Sequence, residues 1–212
     1  MITIGSRYFI AFMNLALIIL CSRYLGAEGL GFISLFVLGL ALNNQVCSFF
    51  GGSALVYLAP RKNLATLIFI SYTGATIMHM ALVPLYLWLK PFDIVYFPEF
   101  FIISLMNVYF STNLSLLLGK EKVETYNVLS VFQILLQVLI FGLFVYKLEK
   151  ISVNHYIIAS IISYFMAMAG SAGILMNNIP RRTEELFQTI KEIFKYGFLL
   201  SREIYCNFWP IV

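Results

Sequence analysis

Between residues 23 and 62 the chain reads RYLGAEGLGFISLFVLGLALNNQVCSFFGGSALVYLAPRK, and this stretch decides the fold. No charged side chain interrupts it from Phe32 to Pro60. A helix over this interval would be about 45 Å long at about 1.5 Å per residue, whereas the hydrocarbon core of a bilayer is only about 30 Å thick. We therefore expect a membrane helix that tilts, protrudes or breaks, and the adjacent Gly51 and Gly52 mark the place where it bends.

Small and polar side chains recur along one predicted face of this segment. They are Ser34, Ala41, Gln45, Ser48 and Gly52. Residues at these intervals share one side of a helix. In lipid such a side is expected to turn inward, toward neighbouring helices or a hydrated cavity.

The composition is that of a membrane protein. Of the 212 residues, 61% are hydrophobic and 11% are charged, whereas soluble domains carry about 25% charged residues. Backbone groups in lipid must pair within a segment, so the spans are expected to be helices, and they are too long for barrel strands. Cys21, Cys47 and Cys206 lie without paired spacing, which predicts packing roles and no disulfide or metal site.

The predicted fold is an all-α polytopic membrane protein, a six-helix transmembrane lobe plus the start of a seventh helix. The six spans are residues 3–22, 31–59, 64–89, 100–118, 125–146 and 152–176. The predicted domains are the lobe at 1–176, a cytoplasmic amphipathic linker at 177–195, and the truncated start of a second lobe at 196–212. The linker alternates charged and apolar residues, which is typical of a helix that lies at a membrane surface.

Lys and Arg are distributed unequally between the two sides of this predicted bundle. The side with the N-terminus and the linker holds nine, and the other side holds four. Because cytoplasmic loops carry the excess of basic residues, the N-terminus and the linker are predicted to be cytoplasmic.

Polar residues recur at helical spacing within several spans. They are Tyr72, Thr76 and His79 in the third, Ser104, Asn107, Ser111 and Ser115 in the fourth, and Tyr126, Ser130, Gln133 and Gln137 in the fifth. Each one alone is best explained as an interhelical hydrogen bond that contributes about 0.6 kcal/mol. Together, stripes on several spans favour a hydrophilic cavity between the helices.

Catalytic and cofactor-binding patterns are missing from the sequence. It contains two histidines, His79 and His155, and it has no Gly-rich phosphate loop, no Cys/His metal spacing and no carboxylate pair within a span. We therefore expect a protein that is not an enzyme and that needs no cofactor or metal.

Short motifs resemble one transporter family. They are RYLGAEGLG at 23–31, GGSALVY at 51–57, GKEK at 119–122 followed by Tyr126 and Asn127, and KYG at 195–197. With these motifs the chain resembles the N-terminal half of the Wzx-type polysaccharide flippases, which belong to the multidrug/oligosaccharidyl-lipid/polysaccharide transporter superfamily.

The resemblance implies a substrate and a location. The substrate would be an undecaprenyl-diphosphate-linked oligosaccharide, the repeat unit of O-antigen lipopolysaccharide or capsule. The flippase would export it across the bacterial inner (plasma) membrane through a cavity between two six-helix lobes. Its partners would be the lipid bilayer, the missing C-terminal lobe and polysaccharide assembly proteins, without nucleic acid. Because the family continues into a second lobe, a truncated form is expected.

Seven residues are candidates for binding this substrate. They are Arg7, Asn14, Arg23, Gln45, Asn107, Gln133 and Gln137. Arginine can hold two phosphate oxygens at once, so Arg7 would bind the diphosphate at the cytoplasmic entrance and Arg23 at the outer one. Alternatively, both arginines extend to lipid headgroups. The amides are expected to face the interior of the lobe, because a lipid-facing amide leaves donors and acceptors unpaired.

Two other functions remain open. The chain is alternatively a half-size transporter or multidrug-extruder-like exporter that assembles with a partner lobe. It is alternatively a membrane-embedded enzyme of envelope polysaccharide synthesis, although the lack of clustered His, Asp and Arg argues against this class.

Overall fold

The fold consists of helices joined by short connections. The structure, a computed structural model, describes residues 2–89, 93–148, 150–176, 189, 191–193 and 196. Its helices are α1 (Ile2–Gly51), α2 (Ser53–Leu58), α3 (Leu64–Leu89), α4 (Phe97–Gly119), α5 (Val123–Lys147) and α6 (Val153–Met176), with a 3-10 turn at Ile94–Tyr96. The described part of the chain contains no strand, so the prediction of an all-α fold is confirmed for these residues.

Within the described residues, five helices are long and apolar enough to cross a membrane, judged by length and composition. The prediction of six spans therefore differs from the structure. The difference arises in α1, which includes the first predicted span, most of the second, and the residues between them. Residues 24–30 lie between the first two predicted spans, where a polar turn is expected, and they are helical at every position except Gly26.

The chain reverses its direction at Gly26, whose φ of 70° and ψ of −170° are not helical. Asn14 and Asn44 line the same cavity, although a straight helix would separate them by about 45 Å. Leu17 and Ile33 likewise belong to one apolar cluster. Helix α1 therefore has a first arm (residues 2–25) and a second arm (residues 27–51) that lie side by side.

A second break follows the second arm, where the sequence predicted a bend. Gly52 has φ −92° and ψ −133°, and the short helix α2 begins at the next residue. The amide of Gly52 donates to the carbonyl of Ser48 at 2.6 Å. A Cβ at Gly52 would lie 2.7 Å from that same oxygen, so the close backbone approach requires glycine.

The second arm buries a different face from the predicted one. Ser34, Ala41 and Gln45 are exposed. The buried side is formed by Ile33, Phe36, Gly39, Leu40, Asn43 and Cys47. The predicted inward face is therefore only partly packed: Ala41 lines a cavity between the helices, and Ser48 and Gly52 are half-buried. The larger apolar side chains make the closer contacts with neighbouring helices, where van der Waals packing drives helix association in lipid. Ser34 needs no partner on another helix, since its hydroxyl donates to the carbonyl of Leu30 at 2.8 Å.

Three larger apolar clusters and a small one around Cys47 hold the described part of the bundle together. One joins both arms of α1 to α5 and α6 through Leu17, Ile33, Phe141 and Tyr156. Another packs Phe36 of the second arm against α3, α4 and α6. The third links α2, α3, α4 and α6 at the opposite end. These contacts fix the positions of the polar side chains between the helices.

Part of the predicted linker packs against this third cluster. Ile193 is fully buried in it, and a carboxylate oxygen of Glu192 lies 3.1 Å from Nζ of Lys62. The ring of Tyr196 lies 4.6 Å from that of Tyr57. Apart from residues 189, 191–193 and 196, the predicted linker (177–195) and the predicted start of a seventh helix (196–212) lie outside the described residues.

The reversal of α1 predicts that substitution of Gly26 lowers the stability of the fold. Its backbone conformation is accessible essentially only to glycine, so Gly26→Ala should destabilise the fold by about 1–3 kcal/mol. Thermal unfolding of the detergent-solubilised protein would measure this loss. Gly31→Ala is the matched control, because an added Cβ meets no atom within 4 Å there and alanine favours a helix. Equal stability of the two variants would contradict the assigned conformation of Gly26.

Candidate functional site

A polar cavity of about 340 Å³ lies between the two arms of α1 and helices α4, α5 and α6. Its polar lining consists of Asn14, Asn44, Asn107, Gln133, Gln137, Tyr156, Ser160 and Tyr164. Apolar residues of the same helices complete the wall, and none of the described lining residues carries a charge. The cavity is therefore a neutral hydrogen-bonding site within an apolar bundle.

A chain of hydrogen bonds orders one wall of the cavity. Nε2 of Gln133 donates to Oε1 of Gln137 at 3.1 Å, and Nε2 of Gln137 donates to Oγ of Ser160 at 2.9 Å. The two glutamines meet because residues four apart share a helix face. The hydroxyl of Ser160 donates in turn to the carbonyl of Tyr156 at 2.9 Å. Each amide still has polar groups beyond these bonds that a guest molecule can use.

The opposite wall contains asparagines of both α1 arms. Asn14 is exposed, and its Nδ2 donates to the carbonyl of Ile10 at 3.0 Å. Asn44 is half-buried on the second arm. Val37 and Ala41 also line the cavity and are exposed, so the cavity opens sideways along this part of α1.

Four of the seven predicted binding residues meet in this cavity. They are Asn14, Asn107, Gln133 and Gln137. Gln133 and Gln137 are buried, and Asn107 is half-buried. The structure thus brings together polar residues from three separate predicted spans, although their role in binding stays a prediction.

The other three predicted residues lie outside the cavity lining. Gln45 is exposed, because each residue turns about 100° around a helix and the neighbouring Asn44 takes the inward position. Arg7 is exposed on the first arm, seven residues before Asn14. Arg23 is also exposed, with its guanidinium 5.8 Å from the ring centroid of Tyr24.

Other polar residues pair between helices outside the cavity, and among them Asn43 and Asn113 were not predicted from the sequence. The hydroxyl of Tyr72 donates to Oδ1 of Asn113 at 2.8 Å, and Nδ2 of Asn113 donates to Oγ of Ser171 at 2.9 Å. Nδ1 of His79 lies 2.9 Å from Oδ1 of Asn43. These bonds join helices, as expected for polar residues that stabilise packing in lipid. Asn43, Asn44 and Asn113 could have been noticed as amides within uncharged spans.

The titratable residues do not form a metal site. Among residues that the structure describes, no group of three His, Cys, Asp or Glu side chains could hold a metal ion. His79 pairs with Asn43, and His155 contacts Ser152 on a different part of the molecule. The chemistry available in the cavity is therefore hydrogen bonding by amides and hydroxyls.

Comparisons with known proteins identified no relative of this chain. No family model matches the chain, and no curated protein or solved structure matches it either. The resemblance of its motifs to the Wzx-type flippases therefore stays a prediction, and the function has to be inferred from the cavity.

Hydration of the cavity predicts a difference in thiol reactivity between neighbouring positions. In a cysteine-free background, Asn14→Cys should react about tenfold faster than Leu15→Cys with a small water-soluble thiol reagent, because only the thiolate is reactive and it forms in water. Both residues are exposed, but only Asn14 lines the cavity. The labelling rates can be followed by mass spectrometry in proteoliposomes. Equal rates would contradict a hydrated cavity at Asn14.

Proposed function

We propose that this protein is a flippase that moves a lipid-linked oligosaccharide across the bacterial inner membrane for surface polysaccharide synthesis. The observation that supports this function is the uncharged cavity of amides and hydroxyls inside a bundle of apolar helices. Polar residues of membrane-spanning helices that face a cavity are markers of substrate pathways. The cavity's own chemistry favours a substrate rich in hydroxyl groups.

Amides suit sugars because both kinds of group donate and accept hydrogen bonds. A glutamine or asparagine offers two N–H donors and one carbonyl acceptor. A sugar hydroxyl that leaves water without a partner loses about 1–3 kcal/mol. Gln133, Gln137 and Asn107, which line the cavity on two helices, would replace those lost bonds during the crossing.

The lipid part of such a substrate would stay outside the cavity. Large apolar side chains are exposed on the first arm of α1, including Phe12, Leu15 and Ile18. The cavity opens on the same helix beside Val37 and Ala41. A sugar headgroup can therefore enter sideways while its hydrocarbon chain remains in the bilayer.

The diphosphate would be bound by a cation next to the cavity, because the cavity lining itself is neutral. Arg7 precedes Asn14 by seven residues on the first arm, which is about 10 Å along a helix. Its guanidinium can hold two phosphate oxygens. Arg7 would act at the cytoplasmic entrance, and Arg23 at the other end of the same arm.

Each arm of α1 is long enough to cross the membrane separately. The arms would be about 36–38 Å long at 1.5 Å per residue, against about 30 Å of hydrocarbon. With α3 to α6 this gives six crossings, with the N-terminus in the cytoplasm according to the nine-to-four charge bias.

A second candidate is a half-size exporter that pairs with a partner lobe. The exposed amide of Gln45 and the open side of the cavity at Ala41 favour it, because exposed polar groups within a span gain from a protein neighbour. In the flippase the same face would meet the second lobe.

Transport can be tested in proteoliposomes with a fluorescent sugar on a polyprenyl diphosphate. The protein should accelerate transbilayer movement, measured as protection from a quencher added outside. The double variant Gln133→Leu with Gln137→Leu should lose this acceleration about tenfold or more, because unpaired sugar hydroxyls raise the barrier by over 1 kcal/mol.

Leu139→Ile is the matched control, because Leu139 lies on the same helix and is exposed. It should transport as fast as the parent. A phosphatidylcholine probe should move equally slowly with all three proteins. Unchanged transport by the double glutamine variant would contradict the proposal.

A further inference from the structure

A second cavity lies at one end of the bundle. It has a volume of about 220 Å³ and is lined by Leu64, Leu117, Lys120, Lys122 and Leu175. Helix α3 begins at this level, α4 and α6 end here, and α5 begins immediately after Lys122. Four helix ends at one level mark a boundary between the apolar bundle and the membrane surface.

The two lysines differ from the neighbouring basic residues in their contacts. Nζ of Lys62 lies 3.1 Å from a carboxylate oxygen of Glu192. The guanidinium of Arg61 donates to the hydroxyl of Tyr57 and lies 4.1 Å from the centroid of its ring. Lys120 and Lys122 have no such side-chain partner within the described part of the chain.

The adjacent acidic residues do not neutralise this pair. Glu121 lies between the two lysines in a left-handed conformation, with φ 59°, and it is exposed. Glu124 is exposed on the first turn of α5. Neither forms an ion pair with Lys120 or Lys122 in the structure. The cavity therefore carries two positive charges that are available to an anion.

The floor of this cavity is apolar. Leu64, Leu117 and Leu175 are 1%, 0% and 2% exposed. Two ammonium groups above this closely packed floor, at the boundary of the apolar bundle, complement the anionic head of an amphiphile whose hydrocarbon part stays in the bilayer. Inorganic phosphate would contact only the lysines.

We propose that the cavity of Lys120 and Lys122 binds the phosphate of an anionic lipid headgroup. Basic pockets between helices at a membrane surface have the charge and the depth for such headgroups, and a lysine ammonium binds phosphate as a compact charge. This site does not depend on the proposed transport function, because it lies apart from the amide-lined cavity and shares no lining residue with it.

Lipid binding can be measured on the purified protein in neutral detergent by native mass spectrometry. Phosphatidylglycerol, phosphatidylcholine and inorganic phosphate would be titrated separately. The parent should prefer phosphatidylglycerol. Lys120→Gln with Lys122→Gln should weaken that binding about tenfold or more, since each lysine near a membrane surface contributes about fivefold. Lys120→Arg with Lys122→Arg should retain it.

Lys147→Gln with Lys150→Gln is the control, because it removes the same charge beyond the other end of α5. This variant should bind phosphatidylglycerol like the parent. If the control variant lost as much phosphatidylglycerol binding, general surface charge would explain the binding and the proposal would be overturned. Binding of inorganic phosphate as tight as that of the lipid would also overturn it, since the hydrocarbon part of the lipid would then contribute nothing. Unchanged binding by the double glutamine variant, with unfolding like the parent's, would overturn it directly.

Discussion

Gly26 has a backbone conformation that other residues rarely adopt, and the arrangement of α1 depends on it. In lipid every backbone N–H and C=O must find a partner within the protein, so irregular connections are costly. The reversal interrupts the helical dihedral angles at one residue, so most backbone groups of both arms lie within regular helix. It also places two apolar arms side by side without a long loop.

The polar cavity follows from this reversal. The arms bring Asn14 and Asn44 to one side of a space whose other side carries Gln133 and Gln137. Apolar clusters on both sides, around Leu17 and around Phe36, separate the cavity from the rest of the bundle. Hydrogen bonds of amides are stronger in such a low-dielectric setting, and unpaired amides cost more. Under the proposed function, this combination would favour a guest that can hydrogen-bond.

Hydropathy and helical spacing predicted much of this architecture. The span at 64–89 coincides with α3, and the spans that follow correspond closely to α4, α5 and α6. The four-residue spacing of Gln133 and Gln137 predicted that they share a face, and the structure buries both. These features are local, because they depend only on residues within one helix.

The reversal at Gly26 and the rotation of the second arm could not be predicted from local sequence patterns. Glycines and polar residues at 24–31 are typical of a loop, and only the packing of the two arms explains a helix interrupted at Gly26. Whether Asn44 or Gln45 faces the cavity depends on the rotation of the second arm about its axis, since successive side chains on a helix differ in direction by about 100°. That rotation is set by the contacts of Phe36 with other helices.

A distance measurement between spin labels on the two arms tests the reversal most directly. Labels at Leu15 and Leu42, which are both exposed, would lie about 40 Å apart on a straight helix. Side-by-side arms predict a distance below about 25 Å, because packed helices lie about 8–10 Å apart and the labels add their own length. A distribution centred below that value in lipid would support the folded α1 and its cavity, and one centred near 40 Å would contradict both.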